Sequence, residues 1–143
     1  MKKQVCRSCL TFLVLTVLWA VPFLHAQSSP LICKVPFEFI VGKTSLPSGQ
    51  YAVKPVSFGS PAIMIQKDDG RGNVITLTNS PQTGQAQDNK AKLVFHKYGS
   101  HYFLFQIWHP SGAGRELLPS RLERELARKM FKPENTILTA QKR

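Results

Sequence analysis

Cysteine is scarce in this 143-residue chain, and two of its three cysteines, Cys6 and Cys9, lie ahead of an apolar run, leaving Cys33 alone beyond it. A single thiol excludes an intramolecular disulfide, so a disulfide-stapled scaffold is ruled out. Acids are scarce too: 8 Asp and Glu face 19 Lys and Arg, a formal charge of +11. A long apolar run is also missing. The longest, Leu10–Leu24, holds twelve apolar positions in fifteen, and at about 1.5 Å per residue it falls short of a bilayer core about 30 Å thick. Nucleophile elbows, phosphate-cradling glycine loops and zinc-type Cys/His spacings do not occur, and Gly112-Ala113-Gly114 lacks the third glycine of a dinucleotide loop.

What is present first is an export signal. Lys2, Lys3 and Arg7 precede the apolar run, Pro22 ends it, and Leu24-His25-Ala26 places a small residue at the expected cut before Gln27. The Cys6-x-x-Cys9 pair departs with that segment. Cys33 is not preceded by the small residue that a lipidated cysteine needs, and it is expected either buried or paired in a Cys33-linked dimer. Residues 27–143 keep 16 cations against 8 acids, a charge of +8. That length suits one core and not two. The expected organisation is a signal peptide over 1–26, a leader over 27–34 and a single β-rich domain over 35–143, with no transmembrane span after cleavage.

Alternation then marks the strands. Val35, Phe37, Phe39 and Val41 recur at period two, and Leu46-Pro47-Ser48-Gly49 reads as a turn into a strand at Tyr51–Val56, with Gly49 supplying a positive φ. Pro36 and Pro55 cannot donate to a ladder, so these strands are expected at an edge or with bulges. Ala62–Lys67 and Val74–Thr78 flank a glycine-punctuated acidic tip, and residues 79–90 form the longest loop. Gly99-Ser100 joins Lys92–Tyr98 to His101–His109 as a two-residue hairpin turn. With Tyr98 opposite His101, one face carries Val94, Phe103, Phe105 and Ile107. The other carries Leu93, Phe95, Tyr102, Leu104 and Trp108. Both faces are apolar, so the hairpin is expected to be covered on both sides. A helix near 120–131 starts at the capping box Ser120-Arg121-Leu122-Glu123, packs through Leu118, Leu122, Leu126 and Met130, and stops at Pro133. Thr136–Thr139 reads as a last strand. The fold class is mainly β, all-β or α+β: an antiparallel barrel or sandwich of seven or eight short strands with one C-terminal amphipathic helix.

Val35-Pro36-Phe37-Glu38-Phe39, Leu46-Pro47-Ser48-Gly49-Gln50-Tyr51, Leu93-Val94-Phe95-His96-Lys97-Tyr98-Gly99 and Arg121–Ala127 together resemble a family of small secreted bacterial β-rich proteins, found as many copies in soil-bacterial genomes. The resemblance covers nearly all of the chain beyond the signal. It implies export and a β-rich fold, and it assigns no catalytic or binding residue.

Candidate chemistry comes from three residue sets. His96, His101 and His109 fall within fourteen residues, but His109 is about 26 Å along the strand from His101 at about 3.3 Å per residue. Two histidines without a carboxylate make a poor metal site, so a structural His96 and an exposed His101 are expected. With Asp68 and Asp69 given to a turn, and Glu123 and Glu125 to the helix as cap and as partners of Arg121 and Lys129, Glu38 and Glu116 stand out from the remaining Asp88 and Glu134 as carboxylates bordered by strand residues. Nothing in their spacing pairs Glu38 with Glu116 as a general acid and base. Charge is the third set: at 100° per residue Arg121, Arg124, Arg128 and Lys132 share a sector of about 80° opposite the leucine stripe. The chain therefore reads as a non-catalytic envelope or extracellular contact module without cofactors. The basic ridge would meet anionic envelope lipids or polysaccharide, and specific nucleic acid is disfavoured because no aromatic platform interleaves with the cations. The alternative is a hydrophobic-ligand carrier whose cavity is lined by Phe37, Phe39, Phe95, Phe103, Phe105 and Trp108, and a hydrolase is the third reading.

Overall fold

The computed structural model describes residues 29–81, 90–129 and 132–142, so the signal segment, most of the long loop, Met130 and Arg143 lie outside the described residues. Among the described residues eleven strands and one helix follow in the order β1 (Leu31–Val35), β2 (Phe39–Val41), β3 (Thr44–Leu46), β4 (Gly49–Pro55), β5 (Ala62–Lys67), β6 (Val74–Asn79), β7 (Lys92–Tyr98), β8 (His101–Trp108), β9 (Gly114–Leu117), α1 (Arg121–Lys129), β10 (Glu134–Thr139) and β11 (Gln141–Lys142). The mainly β class with one short C-terminal helix is as the alternation implies. β5 and β7 have the expected bounds.

The strands form one hydrogen-bonded path, β10-β7-β8-β9-β6-β5-β4-β1-β11, with the β2–β3 hairpin attached to β8 through Ile40 and Phe103. The path is not closed into a barrel. It divides at β6, whose Val74–Leu77 pair with β5 while Thr78 and Asn79 pair with β9. A strand that changes partners in this way makes a corner between two layers. Arg115 of β9 pins that corner, donating to the Ser60 carbonyl at 2.8 Å and to Thr78 Oγ1 at 3.3 Å. The far ends of the path are held by one segment. β10 pairs with β7, the buried Ala140 donates its N–H to the Ala91 carbonyl at 2.8 Å, and β11 pairs with β1.

One core lies between the layers. Leu31, Cys33, Val35, Tyr51, Val53, Ile63 and Ile65 enter it from one side, and Leu93, Phe95, Leu104, Ile107 and Leu117 from the other. Phe39 joins the two, edge-on to Tyr51 at 5.0 Å and to Phe95 at 5.5 Å. Full burial of each such side chain stabilises by about 1.5–3 kcal/mol before ordering entropy is subtracted.

Several local expectations change. The alternation from Val35 to Val41 is not one strand: Pro36-Phe37-Glu38 interrupts it, and β2 turns at Gly42 (φ +60°) into β3. β1 begins at Leu31, inside the expected leader, and lies between β4 and β11. β1 and β4 are interior strands, with Pro36 just past the end of one and Pro55 the last residue of the other, where a lost donor costs little. Gly49 has no positive φ. A Cβ there would instead lie 2.9 Å from the Lys67 stem on β5. The turn is closed by Tyr51, whose hydroxyl donates to the Pro47 carbonyl at 2.5 Å, giving the Leu-Pro-x-Gly-x-Tyr pattern its physical role.

The β7–β8 hairpin has Tyr98 opposite His101 as expected, but its register shifts by a bulge between Val94 and Phe95. Past the bulge Leu93 faces Ile107 and Lys92 faces Trp108. One extra residue exchanges the two sides of a strand, so Ile107 joins the core and Trp108 leaves it.

Candidate functional site

α1 is positioned from its first turn. The Glu123 N–H donates to Ser120 Oγ at 3.1 Å, which satisfies one of the donors that a helix start leaves open. The reciprocal half of the capping box is replaced. The Glu123 side chain points to β7, where its Oε1 accepts from His96 Nδ1 at 2.9 Å. Both side chains are largely buried. The His96 ring stacks on Phe105 at 3.7 Å, and burial together with the nearby Glu123 carboxylate raises the Tyr98 phenol above its ordinary range. Glu123 is the buried residue of α1, with Leu126 and Ala127 half-buried beside it.

That contact sets the rotation of the helix and overturns the leucine stripe. Leu122 is 43% exposed and Leu118, just ahead of the cap, is 57% exposed. Leu126 is half-buried, and Met130 lies outside the described residues. A leucine series at strict intervals of four drifts around a 3.6-residue helix, whereas Glu123, Leu126 and Ala127 stay on one side of it. The sequence signal for this face was His96, a histidine on an apolar strand, and its partner was missed because Glu123 was assigned to the cap.

The basic residues are exposed. Arg121 pairs with Glu125 at 3.0 Å in the expected i,i+4 geometry, and among the described residues Arg124, Arg128 and Lys129 have no carboxylate at ion-pair distance. α1 ends at Lys129. Lys132 is exposed but follows the helix instead of extending it, so the sector shared by the basic residues is carried by Arg121, Arg124 and Arg128. Between the β2–β3 hairpin and the start of α1 runs an open groove of about 650 Å³, lined by Ile40, Gly42, Lys43, Ser45, Arg121 and Leu122, with Ser120 and Glu125 beside them.

The six aromatic residues do not line one cavity. Phe37, Phe39 and Phe95 meet in or against the core, with centroid distances of 5.3 Å and 5.5 Å and with Phe37 stacked on Tyr102 at 4.0 Å. Phe103, Phe105 and Trp108 lie on the opposite face of the β7–β8 hairpin with His96 and Tyr98. Two sheet faces separate the groups.

The remaining polar residues are placed apart. The Ser45 hydroxyl donates to the Glu38 carboxylate beside the β2–β3 hairpin, whereas Glu116 on β9 accepts from Gln106 Nε2 at 2.9 Å. His96 is on the inner part of β7 and His101 at the exposed hairpin end, its ring against Phe103. Among the described residues no three His, Cys, Asp or Glu side chains form a metal-sized group. Cys33 is 2% exposed, its thiol directed at the Thr139 carbonyl at 3.8 Å, and burial pushes its pKa up to about 11. Among the described residues no helix is long and apolar enough to cross a membrane. Comparison with protein-family models, with curated proteins and with solved structures finds no match.

Proposed function

We propose that this protein is an exported, non-catalytic contact module of the bacterial envelope or extracellular space, which binds an anionic surface through α1. The observation that supports it most is the exposed side of the helix: Arg121, Arg124 and Arg128 with Lys132 following, of which Arg121 alone has a carboxylate at ion-pair distance among the described residues. Export rests on the N-terminal pattern of cations, apolar run and small residue, with the secreted form starting at Gln27. Exposed cations of one sign draw polyanions by long-range attraction that salt screens over about 8 Å at 0.15 M.

The test is sedimentation of the exported protein with anionic vesicles, neutral vesicles and an acidic polysaccharide at low and at physiological salt. Binding to an anionic partner, weakened by salt and largely abolished when Arg121, Arg124, Arg128 and Lys132 are all replaced by Gln, is the expected result. The fold stays intact in that variant because the packing face of α1 is Glu123, Leu126 and Ala127. Equal binding by the quadruple variant, or none at low salt, overturns the reading.

A further inference from the structure

Phe58 stands in the turn between β4 and β5 with 95% of its surface in solvent, and Ile75 and Leu77 on β6 are each 59% exposed. These exposures belong together. Residues that face one another across antiparallel strands share a side of the sheet, and the registers set Ile75 beside Met64 and Leu77 beside Ala62 on the outer side of the β6-β5-β4-β1 layer. The alternate residues, among them Val53, Ile63 and Ile65, form the core. Along the strands this outer side falls into rows. The first, next to Phe58, is Val56, Ala62 and Leu77, with the Val56 N–H donating to the Ala62 carbonyl at 3.0 Å. The second is Lys54, Met64 and Ile75, and the third Ile32, Ala52 and Gln66. In the fourth, Lys34 and Gln50 stand beside Asp68, whose N–H donates to the Gln50 carbonyl at 3.0 Å. Charge is thus absent from the row beside Phe58, limited to one lysine in the next, and of both signs at the far end.

Area and ordering select the partner. Three strands about 4.8 Å apart and three rows about 7 Å apart give an apolar face of about 300 Å², under half of the roughly 800 Å² that each partner of a stable dimer buries. A second copy is therefore too poorly covered. A bilayer needs no such area, because it takes side chains in by depth, and its own polarity rises in the same order, from acyl chains to phosphates to water. Apolar side chains enter that boundary by about 5–10 Å, which admits Phe58 and the first row. Lys54, one row of about 7 Å behind, then stands at the headgroups, where its flexible stem carries the ammonium to a phosphate. Among the described residues it has no carboxylate at ion-pair distance. We infer that the outer side of the β6-β5-β4-β1 layer is a membrane-docking face, entered at Phe58 with Val56 and Leu77 in the acyl boundary and Lys54 on an anionic headgroup. It does not rest on the reading of α1, which packs through Glu123 against β7 in the other layer. Docking by this face leaves Arg121, Arg124 and Arg128 open to a second partner.

Phe58→Trp and Gln50→Trp variants of the exported protein, each mixed with phosphatidylglycerol vesicles whose acyl chains carry bromine, compare the two ends of the face. The buried Trp108 is common to both and serves as the unshifted reference. Emission of the indole introduced at position 58 is expected to shift to the blue and to be strongly quenched, and that at position 50 to change little. The pair Ile75→Ser and Leu77→Ser, both exposed, is expected to weaken vesicle binding at least tenfold at an unchanged thermal midpoint. Should the pair lower the midpoint, Phe58→Ser, in a turn and outside the core, carries the same test. Lys54→Gln is expected to narrow the preference for phosphatidylglycerol over phosphatidylcholine. Binding without quenching at position 58, or with equal quenching at positions 58 and 50, overturns the docking face while leaving the basic ridge standing. A blue shift at position 58 that grows with protein concentration in the absence of vesicles assigns the face to a second copy and overturns it as well. Replacing Arg121, Arg124, Arg128 and Lys132 by Gln should leave the quenching at position 58 in place, so failure of the ridge and failure of this face are read separately.

Discussion

Glu123 is a residue whose neighbours decide its role. On a helix of this composition a glutamate is ordinarily solvated, yet here it is the buried one and Glu125, two residues on, is the exposed one. Truncating one partner of a buried pair leaves the other without its hydrogen bond, which costs about 2–3 kcal/mol. An exposed i,i+4 pair contributes about 0.3–0.5 kcal/mol. Glu123→Ala is therefore expected to lower the urea midpoint clearly, and Glu125→Ala hardly at all. Equal midpoints for the two variants would mean that His96 does not hold the helix. Cys33 makes a prediction in pH. Its folded pKa of about 11 lies above the ordinary thiol range, so the folded state holds that proton more tightly and stability falls as pH rises through 9 towards 11. Tyr51, Tyr98, Lys67 and Lys97 are shifted upward as well and add to the same alkaline decline. Denaturation midpoints between pH 8 and pH 11 should fall less steeply in Cys33→Ala than in the parent. The native thiol should also resist alkylation at pH 8 until denaturant is added, which leaves a Cys33-linked dimer to unfolded chains.

At the scale of elements, what the sequence makes legible is where each begins and turns. Two-residue turns at Gly99-Ser100 and the glycine tip between β5 and β6 need a positive φ, which Gly70, Gly72 and Gly99 provide, so those hairpins are encoded locally. The start of α1 is local as well. Ser120→Ala removes the acceptor for the Glu123 N–H and is expected to cost about 1 kcal/mol, read as a shift in thermal or denaturant midpoint. Because both contacts hold the first turn of α1, a turn loosened by one loss has less to lose by the other, and combining Ser120→Ala with Glu123→Ala should cost less than the two separate losses added together. The β2–β3 hairpin was less legible. Its three-residue strands carry too few alternations to stand out from the longer run Val35–Val41, and Pro36 was the signal that the run is broken.

On the scale of the whole molecule, the last few residues hold the two ends of the strand path. Ala140 separates β10 from β11, and with them the chain pairs with β7 on one side and β1 on the other. Removing residues 140–143 deletes the Ala140–Ala91 hydrogen bond, a buried side chain and the β1–β11 pairing. A loss of about 1–3 kcal/mol is expected, in a single cooperative transition because both layers share one core. Faster hydrogen exchange should then appear in β1, at Leu31 and Ile32. An unchanged melting temperature would show that the layers do not depend on this segment.

The sequence alone determined the mainly β class, the bounds of β5 and β7, the β7–β8 turn, the start of α1 and the basic charge of its residues. Each of these depends on covalent chemistry within a few residues: side-chain period, a glycine's freedom at positive φ, a hydroxyl beside an open N–H. Tertiary structure decided which side of α1 is buried, because a hydrogen bond between Glu123 and His96, 27 residues apart, outweighs a leucine series. It also decided that the six aromatic residues divide, since the bulge at Val94 and Phe95 moves Trp108 out of the core and Ile107 into it. A one-residue shift inverts every side chain beyond it. No local pattern reports such a shift, because it is selected by how well two whole layers pack.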